Sequence, residues 1–253
     1  MTSTIRKITG KIAAGLISAG LLSSPAFAQD SGGWTFNTSI YGWLPSLDTT
    51  QDTRFGRLEA SVSGSDVISA LDFAFMGTLE ARKGRWGFVG DLIYTDLSAS
   101  NDTPGDVFGE ARIGTKLTAF TGLALYRAYE SPQAAIDLGG GFRAFDVKSN
   151  FALTSGRADG FNLDGSTSAV VPLVSARLLA PLSDRWFATA FFDYGVNGSD
   201  DETSQAFGSV GYFFNEKWSM QVGYRFMNVG TTLNGRNLNL DMSGPLIGVT
   251  ARF

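Results

Sequence analysis

The sequence predicts an all-β fold: a transmembrane, antiparallel, up-and-down β-barrel. Three observations carry this. Segments of about ten residues alternate apolar and polar side chains, the period of a strand with two different faces. The chain is 13% aromatic and only 17% charged, whereas about a quarter of a water-soluble domain is charged. It opens on a secretory leader and closes on an alternating strand that ends in an aromatic residue. After the leader no apolar run is long enough for a membrane helix, so strands would have to make the crossing. A periplasmic β-sandwich is the competing architecture, and the sparse charge fits it less well.

The leader is read over residues 1–28. Arg6, Lys7 and Lys11 precede an apolar stretch from Ile12 to Leu22, and Ala26 and Ala28 supply an Ala-x-Ala cleavage site. That stretch is too short for an anchor. Residues 29–253 would then be the mature barrel. The leader holds three of the 20 basic residues and no acid, so the mature chain is more acidic than the net −4 of the whole. That argues against a nucleic-acid partner. Cysteine is absent, which rules out disulfides and thiolate metal sites; histidine is absent too. No cofactor and no metal is expected.

Trp34 to Leu44 reads as a first strand that Pro45 stops. Residues 45–70 read as one irregular excursion, holding a further short strand at Arg54–Val62 and a short helix after a Ser63 cap. From Leu71 to Arg82, Phe73, Phe75, Leu79 and Ala81 oppose Asp72, Thr78, Glu80 and Arg82. After the tight turn Lys83-Gly-Arg85, the strand from Trp86 to Asp96 turns Trp86, Phe88, Leu92 and Tyr94 outward and Asp91 and Thr95 inward. In the strand from Glu110 to Arg127, Ile113, Leu117, Ala119 and Leu123 read as lipid-facing, which sends Arg112 and Lys116 inward. From Ala134 to Val147, Ile136, Leu138 and Phe142 oppose Asp137 and Arg143. Gly139-Gly-Gly141 lies within that strand. It lacks the Lys and helix of a phosphate loop, and it reads as room for bulky neighbours.

The strand from Ala169 to Ala180 turns Arg177 inward, and the one from Trp186 to Val196 does the same with Asp193. Thr203 to Phe214 follows, with no clear face. In the strand from Trp218 to Met227, Trp218, Met220, Val222, Tyr224 and Phe226 oppose Gln221 and Arg225. The last strand is Gly244 to Phe253, with Arg252 near its exit. Residues 98–108, 149–167, 197–202 and 228–237 read as loops. Asp200-Asp-Glu202, the one acidic cluster, reads as a solvated loop tip.

Three turns end alike, in Gly-Arg-Trp86, Asp-Arg-Trp186 and Glu-Lys-Trp218. Trp prefers the lipid–water boundary and the preceding cation the head-group level, so these three would form an interfacial girdle. The last strand resembles the C-terminal signal of bacterial outer-membrane barrels, in which Phe253 would be read by the insertion machinery and would end in the periplasm. Counting back from it puts all three Trp turns on the periplasmic side and the long loops outside, the asymmetry of such barrels. The count is ten strands; eight and twelve are also even and stay open.

Several stretches together resemble a group of uncharacterised proteobacterial outer-membrane β-barrel (porin-like) proteins. They are Tyr41-Gly-Trp-Leu-Pro45, Leu71 to Trp86, Gly90-Asp-Leu-Ile-Tyr94, Ser183-Asp-Arg-Trp186 and Trp218 to Phe226. The resemblance spans nearly the whole mature chain. It implies an outer-membrane location with outer-membrane lipid and lipopolysaccharide as surroundings, and it brings no substrate and no functional residues. Enzymes built on such barrels use histidine as a base or its partner. Without one, a serine nucleophile here lacks its ordinary activator, so the chain reads as non-enzymatic.

The inward parity carries Glu80, Arg82, Asp91, Arg112, Lys116, Asp137, Arg143, Arg177, Asp193 and Arg225. Charges in a narrow low-dielectric lumen must be paired or wet. If paired, they plug the barrel and leave it a structural or envelope-interaction role. If wet, they line a narrow channel for small solutes. Arg143, Arg225, Asp91 and Asp193 stand at comparable heights and could form a ring of alternating charge at the waist.

Overall fold

The computed structural model describes residues 33–53, 56–102, 108–198, 201–233 and 236–253. The expectations for the leader (residues 1–28), Arg54, Pro104–Gly105, Asp200 and Asn234–Gly235 lie outside them. The elements are β1 (Thr35–Trp43), β2 (Ser46–Thr53), β3 (Gly56–Val62), α1 (Gly64–Ser69), β4 (Leu71–Lys83), β5 (Trp86–Asp102), β6 (Phe108–Glu130), β7 (Ala135–Ser155), β8 (Phe161–Pro181), β9 (Trp186–Asn197), β10 (Asp201–Phe213), β11 (Trp218–Leu233) and β12 (Arg236–Arg252). All neighbours are antiparallel, and β12 returns to pair with β1, closing a ten-stranded barrel. Closure gives every strand of the ring a neighbour on both sides over at least part of its length.

β1 and β2 are one strand interrupted once. Trp43 faces Leu246 and Ser46 faces Ser243, so the register along β12 runs unbroken through Leu44 and Pro45. Pro45 has no N–H to give a ladder, but Leu44 N still donates to Pro245 O at 3.0 Å. The crossing is tight: a side chain on Gly244 would collide with the Leu44 carbonyl. Pro45 therefore breaks the strand without ending it. The irregular excursion expected at 45–70 is largely sheet, and β3 folds back on β2 as one extra strand outside the ring. Then comes α1, capped as expected by Ser63, whose Oγ accepts from Asp66 N.

One end of the barrel has short turns. Asn215 Oδ1 accepts from both Lys217 N and Trp218 N at 2.9 Å, a side chain standing in for a turn's backbone. At the other end the strands run further than expected. Much of 149–167 is the paired tops of β7 and β8, from Ser149 opposite Gly165 to Leu153 opposite Phe161, and β11–β12 extend likewise to Leu233 opposite Arg236. Their outward parity is polar, with Asn150, Asn162, Asp164 and Asn228 on it. Polarity alone does not distinguish such a strand from a loop.

The two faces of the wall are unlike. Phe88, Phe142, Phe192, Phe226 and Ile247 are exposed on the outside. Inside, the turn-end half holds polar and charged groups around a small apolar cluster of Leu123, Leu125 and Leu173. Towards the other end they give way to an apolar layer of Trp43, Met76, Ile93, Phe145, Val171, Met227, Met242 and Leu246, with Ala119 and Val229. Gly139 and Gly141 lie in β7, as expected. Cβ atoms there would strike the carbonyls of Ala124 and Gly122, so the glycines let β7 lie close against β6.

Candidate functional site

The lumen is the site where chemistry-bearing side chains converge, and it has two charged levels. At the turn end, Arg127, Asp137 and Arg177 are register neighbours on β6, β7 and β8. Asp137 Oδ1 accepts from Arg127 Nε, and Asp137 Oδ2 accepts from Arg177 Nη2 at 2.7 Å. From β4, across the barrel, Arg82 Nη2 also donates to Asp137 Oδ2 at 2.7 Å. Arg177 reaches back with Nη1 and Nη2 to both oxygens of Glu80, at 2.9 and 2.8 Å. This two-pronged geometry is the strongest that an arginine and a carboxylate make. β4 and β8 are four strands apart in the ring, so these bonds cross the lumen rather than lie along its wall.

The second level is the waist. Arg143 is fully buried and bonds to three other strands. Its Nε donates to Thr121 Oγ1 (3.0 Å), Nη1 to Thr203 Oγ1 (2.8 Å), and Nη2 to Asp193 Oδ2 (2.6 Å) and Gln205 Oε1 (3.4 Å). Beside it, Tyr41 OH and Thr78 Oγ1 each donate to Asp91 Oδ1 at 2.8 Å. Arg225 Nη1 donates to Tyr41 OH at 3.0 Å, and Nη2 lies 3.7 Å from Asp91 Oδ2. Its guanidinium also lies over the Tyr41 and Trp43 rings, 5.0 and 5.3 Å from their centroids. The waist thus pairs Arg143 with Asp193 and Arg225 with Asp91. Parity placed these four together; the pairing depends on barrel closure, which parity does not contain.

Arg112 and Lys116 are not in this network. Their side chains are 61% and 57% exposed and pair with Glu110 and Asp96. β6 turns Ala119, Thr121, Leu123 and Leu125 inward, and Phe120 and Tyr126 outward. The sequence reading of this strand took its apolar parity to face lipid, but here that parity packs the apolar interior. The reversed face also hid Arg127, which shares the inward parity. Tyr41, Thr121, Thr203 and Gln205 were missed as well; they are uncharged, and only their position in the closed ring marks them. Asp201 and Glu202 belong to β10, where Asp201 Oδ1 accepts from Thr231 Oγ1 at 2.6 Å.

Trp86, Trp186 and Trp218 begin β5, β9 and β11 at the turn end, each about half exposed. Trp86 meets Tyr126 and Trp186 meets Tyr212 edge to face, with centroids 5.2 and 5.0 Å apart. Phe253 is exposed, while its backbone N donates to Phe36 O and its carbonyl accepts from Phe36 N.

The fold is similar to that of the outer membrane protease OmpT from Escherichia coli, with a TM-score of 0.61, 10% identity, and coverage of 89% of this chain and 99% of that one. Lesser likeness is found to Ail, the attachment invasion locus protein of Yersinia pestis (TM-score 0.40, 12% identity, 87% and 99% covered). The translocator domain of the autotransporter NalP from Neisseria meningitidis is comparable (TM-score 0.39, 17% identity, 88% and 90% covered). No protein-family model and no curated sequence matches the chain. At such identities the likeness shows the fold alone: the chain folds as outer-membrane β-barrels do.

Proposed function

We propose that this chain is an integral outer-membrane barrel with a lumen closed by paired charges and an apolar layer, serving a structural or envelope-interaction role rather than carrying solute. The observation that carries the reading is the set of hydrogen bonds that cross the lumen from Arg177 on β8 to Glu80 on β4. A conducting path would have to break them. Behind them stand the buried Arg143–Asp193 pair and the apolar layer, and an apolar constriction in a pore excludes ions by dewetting.

The outer face supports the membrane setting. On β11 it is apolar from Trp218 to Phe226 and turns polar at Asn228; on β5 it is apolar from Trp86 to Tyr94 and turns polar at Asp96. At about 2.5 Å of height per residue, the band is roughly 20 Å tall, near the ~25 Å of such barrels. The turn end would face the periplasm, with Trp86, Trp186 and Trp218 at its lipid boundary and the leader of residues 1–28 directing export. Outer-membrane lipid and lipopolysaccharide would surround the barrel. A protein without histidine is a poor scaffold for hydrolysis, which supports a non-enzymatic role.

One observation favours the narrow channel instead. Asp193 Oδ1, Arg225 Nε and Arg82 Nη1 have no hydrogen-bond partner among the described residues, as groups lining a wet path would. Single-channel recording of the purified full-length protein in a planar bilayer separates the two. Silence is expected, and steady conductance would replace the plug with the channel.

A further inference from the structure

The wall of the barrel forks. β4 pairs with β1 from Thr35 opposite Arg82 to Ile40 opposite Gly77, and no further pairing joins the two among the described residues. Above that rung, Tyr41 to Trp43 keep β12 as their strand neighbour, and Phe73 to Met76 keep β5. β3 takes up pairing with β2 only from Val62 opposite Leu47. The gap between is bridged by α1, which buries none of its residues. It touches the wall at Gly64, where a Cβ would lie 3.4 Å from the Leu44 carbonyl oxygen.

The fork joins two apolar surfaces. On the outside, Ile40, Leu44, Phe73 and Phe75 are exposed. On the inside, the diverging strands contribute Trp43 and Met76 to the apolar layer, which also holds Met227 and Met242. Methionine is unbranched and polarizable, and it repacks around a guest more readily than branched residues do. Trp43 Nε1 is buried there without an acceptor among the described residues, a state that an ester carbonyl would relieve.

We propose that the fork is a lateral entrance through which an acyl chain of a membrane lipid reaches the methionine-lined layer, with α1 as its lid. The proposal rests on the membrane reading above, because the entrance opens on the face assigned to lipid. The barrel is then closed along its axis and open to the side, and its envelope partner is a lipid.

The test reconstitutes the full-length protein in nanodiscs of phosphatidylcholine bearing a diazirine at the end of one acyl chain. After irradiation, adducts are mapped by mass spectrometry. Leu79, exposed at mid-height of the outer band, should be labelled from outside, and Trp43, Met76 or Met242 from within. The native chain has no cysteine, so G64C together with L44C, joined by a short bis-maleimide that adds to both thiols, ties the lid to the wall. Tethering should lower the interior adducts several-fold and leave the outer ones unchanged. The same double variant left unlinked should label like the native chain, which separates tethering from misfolding. Outer adducts without interior ones would overturn the entrance and leave the membrane reading standing. Interior adducts unchanged by the tether would overturn α1 as the lid and the fork as the route. Absence of outer adducts would overturn both readings.

Discussion

At the scale of the residue, Arg143 is the most committed side chain in the lumen. It and Asp193 are both fully buried, so each is the other's charge compensation. Arg143→Ala leaves a buried carboxylate unpaired and should cost about 3–5 kcal/mol. Arg143→Met combined with Asp193→Leu removes both charges and should recover most of that loss, because apolar replacement of a buried pair is often neutral. Arg112→Ala should change stability by about 0.5 kcal/mol or less, since the side chain is exposed. Urea titration in detergent micelles measures all three. A loss for Arg112→Ala as large as that for Arg143→Ala would mean that the lumen network has been drawn on the wrong face of β6.

At the scale of the element, β6 and the β1–β2 run carry the informative departures. In β6 the outward parity bears Lys116 and the inward parity Ala119. In intact cells, a membrane-impermeant maleimide should therefore label Lys116→Cys and leave Ala119→Cys unmodified. The reverse pattern would restore the face first read from the sequence. In the β1–β2 run, continuity across Pro45 depends on Gly244. Gly244→Ala places a methyl group on the Leu44 carbonyl, and overpacking of this kind costs about 1–3 kcal/mol. The heat-modifiable folded form should melt at lower temperature. An unchanged melting temperature would mean that β1 and β2 are not held together there.

At the scale of the whole molecule, the distribution of tryptophan tests the orientation. Trp86, Trp186 and Trp218 stand half exposed at the turn end, whereas Trp43 is buried in the lumen. In single-tryptophan variants, each of the first three should be quenched by lipids spin-labelled near the head groups and only weakly by labels at the bilayer centre. Quenching of any one of them chiefly from the centre would break the common girdle. Phe253 acts at the same scale. It is 75% exposed, so little buried area is lost on substitution. Phe253→Ser should lower the amount of barrel assembled in the outer membrane while leaving the melting temperature of purified protein nearly unchanged. Normal assembly would remove the terminal signal from the account.

The sequence by itself determined the all-β class and the inward faces of β4, β5, β7, β8, β9 and β11; it favoured ten strands with eight and twelve open, and ring closure decided for ten. In those strands one parity holds Phe, Leu and Trp while the other holds Asp, Glu or Arg, and a period of two allows only one solution when the surroundings are apolar outside. The same rule failed in β6, where Ala119, Leu123 and Leu125 face an interior that is itself apolar, because alternation shows that two faces differ without showing which is inside. It also failed above the band, where paired strands are polar outside and read as loops. Only the tertiary structure decided which charge meets which: Arg177 with Glu80, Arg143 with Asp193 and Arg225 with Asp91. Those partners lie on strands that are not neighbours in the ring. They meet because closure and tilt bring distant strands to face one another across a narrow lumen, a property of the ring that no single strand carries.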